Sequence, residues 1–96
     1  MTRIAERELT YRDDAGHEQT LIVKVSPPRH EDGCWACEYE LGAPVSFAAA
    51  AYGEDSLQAL VLALHAIQAH LNAPDLRGRV RWLGEPHADL LALPSP

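Results

Sequence analysis

Positive charge is scarce: 8 Lys and Arg stand against 14 Asp and Glu, and Lys24 is the single lysine. Phosphate binding needs a basic face, so a formal charge of −6 argues against free DNA or RNA as partner. No apolar run approaches the roughly 18 residues of a membrane span. The opening residues, Met1 to Glu8, are charged where a secretory leader would be apolar, so a cytoplasmic protein is expected. G-x-S-x-G, Walker and glycine-fingerprint sequences are all missing. Cysteine is limited to two residues, Cys34 and Cys37, with no second C-x-x-C to complete a zinc site of two knuckles.

What remains is ordinary globular material. The 96 residues suit one domain, 1–96, with 47% hydrophobic and 23% charged residues. The net charge is confined to the first half: residues 1–55 hold 11 acids and 5 bases, whereas residues 56–96 hold three of each.

The first half alternates with period two, the strand signal. Four strands are predicted: about 3–12, 19–26 with Leu21, Val23 and Val25 inward, 34–41 with Trp35, Cys37, Tyr39 and Leu41 on one face, and 45–52. The alanines of this fourth segment would suit a helix equally well, but it is read as a strand because Gly53 and a helix start follow at once. Turns are expected at Asp13–Gly16 and Glu31–Gly33, and Pro27-Pro28 ends the second strand. Asp55 is a natural helix N-cap and Gln58 can reach back as a capping box. The helix should run over 56–72, stopped by Asn72 and Pro74. Arg79–Leu83 reads as a short last strand. The expected fold is α+β, in the order ββββαβ: an antiparallel sheet of four to five strands with one long helix on one face.

The helix segment contains no charged residue. At 100° per residue, Leu57, Leu60, Val61, Leu64, Ile67 and Leu71 form one stripe, expected to be the core face. The opposite side holds Ala59, Leu62, Ala63 and Ala66. Two readings stand: an alanine-rich helix in a chain where alanine and leucine supply 28 of 96 residues, or a small outer face packed on another chain.

The candidate chemistry is thin. Cys34 and Cys37 are three apart on a strand, so they point to opposite faces and do not pair easily. No helix follows to lower a thiol pKa, which argues against redox work. His65 and His70 are five apart and do not form an i, i+4 metal pair. Hence no catalytic, cofactor-binding or metal-ligating residue is expected. Glu38 and Glu40 share the outer strand face, as a solvated surface or as an acidic patch for a partner. Arg77, Arg79 and Arg81 would point one way on a strand, keeping an edge soluble or meeting an acidic partner.

Ile4-Ala5-Glu6-Arg7, Trp35 with Cys37 and Tyr39, Tyr52-Gly53-x-Asp55-Ser56-Leu57-Gln58-Ala59-Leu60, and Trp82-Leu83-Gly84-Glu85-Pro86 together resemble a family of small bacterial proteins known as a domain of unknown function. The resemblance implies a stand-alone cytoplasmic domain of this length and brings no catalytic residues. A looser likeness to small antitoxin domains lacks their DNA-binding tail. By analogy, small acidic proteins of this kind serve as immunity proteins.

The expected function is therefore a non-enzymatic protein-interaction module, either a homodimer or the neutralising partner of a basic toxin. Glu38, Glu40, Ala59, Leu62, Ala63, Ala66, Arg79 and Arg81 are its candidate partner-binding residues. The alternative is a small-ligand-binding domain that uses the sheet face away from the helix or an aromatic cleft near Trp35, Tyr39 and Trp82.

Overall fold

The computed structural model describes residues 3–84 and 90. Its elements are β1 (Ala5–Arg12), β2 (Glu18–Val25), β3 (Arg29–Glu31), β4 (Cys34–Leu41), β5 (Phe47–Gly53), α1 (Ser56–Leu71) and β6 (Val80–Arg81). All pairings are antiparallel. The α+β class and the single helix on one sheet face agree with the sequence pattern.

The strand that sequence alone misses is β3. Pro27 and Pro28 cannot donate to a ladder, so β2 stops at Val25. The chain then resumes along the same side of β4: β2 pairs with residues 39–41 and β3 with residues 34–36. Asp32 and Gly33 both have positive φ, 47° and 84°, the signature of the two-residue turn that joins twisted strands. The sheet therefore reads, from one edge to the other, β5, β4, β2 with β3, β1 and β6. The last strand is only Val80–Arg81, shorter than the expected 79–83, and Arg77 lies in the preceding turn.

The helix begins as expected. The Asp55 carboxylate accepts from the Gln58 amide at 2.7 Å. Gln58 reaches back as well, but one residue further than anticipated: its Oε1 accepts from the Glu54 amide at 2.7 Å.

The inward face of α1 corrects the sequence reading. Ala59, Ala63 and Ile67 are fully buried and Leu71 nearly so, while Leu57 is 68% exposed and Val61 40%. The helix is rolled by about 75° from the orientation its large residues suggest, at 100° per residue, with Ile67 and Leu71 common to both faces. The reason lies in β5. Phe47, Ala49, Ala51 and Gly53 are the β5 residues opposite the buried face of β4, so the helix meets alanine and glycine there. Small residues on both surfaces let the backbones approach closely. A Cβ on Gly53 would lie 2.6 Å from the Ala59 amide nitrogen. The buried Leu9, Leu21, Val23, Val25, Cys37, Tyr39 and Leu41 complete the core from the sheet side.

Candidate interaction surface

The outer sheet face carries alternate residues of every strand, and its charges are partly used up internally. Arg29 bonds Glu31 at 2.9 Å and also pairs with Glu38. These two carboxylates raise the Arg29 pKa, Glu38 most strongly. Glu40 stands between Lys24 of β2 and Ala48 of β5 in the register. Arg79 pairs with Asp14 and reaches the Arg12 carbonyl, tying the chain before β6 to the β1–β2 hairpin. Arg81 stands opposite Thr10. The three arginines thus do not form one stripe, because only Arg81 is in a strand.

The helix candidates divide. Ala59 and Ala63 are fully buried against the sheet, so they are not an outer partner surface; close helix–sheet packing claims them. Leu62 is 41% exposed and Ala66 partly so. Leu64 and Ile67 line a cavity with Val23 and Val25 of β2, which fixes that flank of the helix toward the middle of the sheet. Leu62 and Ala66 lie on the opposite flank, above the β5 edge.

The edge itself can be read from backbone bonds. Gly42 donates to the Ile22 carbonyl at 2.8 Å and Glu38 accepts from the Ser26 amide at 2.9 Å. Even-numbered residues of β4 therefore direct their backbone groups toward β2 and β3, and odd-numbered ones toward β5. Residues alternate in this respect along a strand. Leu41, Tyr39, Cys37 and Trp35 are opposite Phe47, Ala49, Ala51 and Gly53, so those residues of β5 bond to β4. The N–H and C=O groups of Ala48, Ala50 and Tyr52 point the other way, off the edge of the sheet. Among the described residues no strand pairs with them. Tyr52 is 56% exposed.

This edge went unnoticed in the sequence, although its signal was present: seven residues, Phe47–Gly53, without charge or proline. Alternation identified a strand there; nothing in the local pattern revealed that it would lie at the border.

The proposed aromatic cleft does not form. Tyr39 clusters with Phe47 and His70, whose ring centroids are 4.4 Å apart. Trp35 meets His30 edge-on at 5.3 Å. Trp82 follows β6, with β2 and β1 between it and β4, and has the Arg7 guanidinium 3.7 Å above its ring. The cavity beside Leu64 has a volume of about 140 Å³, below the roughly 300–1,000 Å³ of typical ligand pockets.

Both cysteines are free thiols. Cys34 donates to the Glu31 carbonyl and Cys37 to the Ser26 carbonyl, each at 3.3 Å. Burial, with a smaller effect of Glu38, pushes the Cys37 thiol pKa up, so it stays protonated and inert. Among the described residues, no three His, Cys, Asp or Glu side chains gather as metal ligands, and no helix is long and apolar enough to cross a membrane.

No curated protein and no solved structure matches the chain. The family described as a domain of unknown function, DUF6968, matches residues 5–94, nearly the whole length. The meander, the capped helix at Asp55 and the alanine-lined contact beneath it are thus the structure of one of its members: the chain belongs to the DUF6968 family.

Proposed function

We propose that this chain is a protein-interaction module that works by accepting a β-strand along β5. The observation that carries the reading is the open row of backbone groups on Ala48, Ala50 and Tyr52. An exposed strand edge is a template for pairing, and natural sheets blunt it with charge, proline, bulges or shortness. The β6 edge follows that rule, being two residues long and flanked by Arg79. The β5 edge is long and uncharged. Strand addition draws affinity from main-chain hydrogen bonds and specificity from alternate side chains.

The narrower immunity reading, neutralisation of a basic toxin, rests on the acidic outer face. Its support is weaker than the sequence suggested, because Glu38 already pairs with Arg29. Glu6 likewise pairs with Arg3, so Glu40 and Glu8 are the outer-face carboxylates that would steer a basic partner.

The test uses Ala50→Pro. The Ala50 N–H points away from β4, so proline removes an edge donor without removing a bond of the β4–β5 ladder. Proteins bound by the wild-type chain should be lost by the variant, and in their complexes the amides of Ala48, Ala50 and Tyr52 should exchange more slowly. Complexes that persist with Ala50→Pro, with those amides exchanging as fast as in the free chain, would overturn the reading.

A further inference from the structure

We infer that the strand added to β5 is β5 of a second copy, paired antiparallel about a two-fold axis through Ala50. The inference rests on the reading of β5 as a strand-accepting edge and names its occupant.

Backbone parity comes first. A two-fold at Ala50 sets Ala50 opposite itself, Ala48 opposite Tyr52 of the partner, and Tyr52 opposite the partner's Ala48. These are the residues whose N–H and C=O groups point off the sheet. Each would exchange both bonds with its counterpart, as an antiparallel hydrogen-bonded pair does. Every outward backbone group of β5 is satisfied in that one register, with none left over.

Side-chain volume agrees. The same register places Phe47, 38% exposed, opposite Gly53 of the partner, and Tyr52 opposite Ala48. Each large residue meets a small one, and Ala49 meets Ala51. The strand is self-complementary in size about its centre.

The helices fit as well. Gly53 lies beneath Ala59 and Phe47 touches His70, so α1 runs antiparallel along β5, packed on β5 and β4. Strands are about 4.8 Å apart, so helices centred between β4 and β5 in each copy stand about 10 Å apart, near the 8–10 Å of close helix packing. The flank that would meet its counterpart carries Leu62 and Ala66, near the middle of the helix as Ala50 is the middle of the strand.

Charge does not oppose the pairing. Phe47–Gly53 has none, and Glu38 on β4 would lie about 14 Å from its counterpart, three strand spacings away, with the two Glu40 farther apart still. That exceeds the Debye length of about 8 Å at physiological salt.

Native mass of the purified full chain decides the matter. The expected mass is twice 10.5 kDa. Ala50→Pro should give a monomer with unchanged circular dichroism. Ala50→Lys, which sets like charges opposite each other, should do the same. In a Cys34→Ser background, Ala50→Cys should cross-link to itself under mild oxidation. Ala48→Cys alone should not, because its counterpart is about 13 Å along the strand, but it should cross-link to a Tyr52→Cys chain. A chain monomeric at every concentration overturns self-pairing. If its β5 amides are nevertheless protected by a different bound protein, strand acceptance stands. A dimer that survives both Ala50 variants, with β5 amides exchanging freely, overturns both.

Discussion

Gly53 shows how much one missing side chain decides. Its backbone needs no unusual dihedral, and its role is space alone: a methyl there would meet the first turns of α1 at the Ala59 nitrogen and the Gln58 carbonyl carbon. Gly53→Ala should therefore lower stability by about 1–3 kcal/mol, in the range of core overpacking, measured by urea unfolding. The two thiols give a second residue-scale outcome. Cys34 should react readily with a thiol reagent in the folded protein, and Cys37 only on unfolding. Because burial raises the Cys37 pKa, the folded state favours the neutral thiol. That contribution is complete below the ordinary thiol pKa of about 8.5 and is lost as pH climbs above it. Stability measured from neutral to alkaline pH should fall less steeply in Cys37→Ala than in the wild-type chain.

At the scale of elements, the strands of the meander were legible because one sheet face is buried and the period-two pattern survives. Leu21, Val23 and Val25 are buried as read. The capped start of α1 was legible because Asp55 and Gln58 act locally. The roll of the helix was not. Amphipathic reasoning assumes that large apolar residues face inward, but β5 offers a floor of alanine and glycine, and small residues pack there more closely than leucine can. β3 was hidden for a similar reason: three residues after Pro27-Pro28 acquire strand structure only because β4 extends past β2. Of the candidate surface, Leu62 and Ala66 were visible as a helix flank, while the β5 edge depends on which strands find neighbours. The helix roll yields a paired prediction. Ala63→Leu should destabilise by about 1–3 kcal/mol. Leu57→Ala should change stability by no more than about 0.5 kcal/mol. The reverse ranking, by denaturant midpoint, would restore the leucine face to the core.

For the molecule as a whole, the proposed contact strand carries none of the charge imbalance. The net charge of −6 arises from the first half of the chain and is carried by residues outside Phe47–Gly53. Association along β5 should therefore depend little on ionic strength. Dissociation constants measured at about 0.05 and 0.5 M salt should agree within a few-fold, whereas a contact steered by Glu40 would weaken markedly, since the Debye length shrinks well below 10 Å across that range.

The two borders of the sheet are unequal, and this sets how far any assembly can grow. A chain with two receptive borders would stack copies end to end and lengthen into a fibril. Here a strand that docks on β5 uses the receptive border. Among the described residues the far border is the two-residue β6, with Arg79 held at Asp14, and the part of β1 that β6 does not cover, which carries Glu6, Arg7 and Glu8, charges of the kind that blunt an edge. On the proposed pairing, growth would stop after a single addition, so an alanine-rich strand that would seed open-ended aggregation in a symmetric sheet would here close a discrete complex.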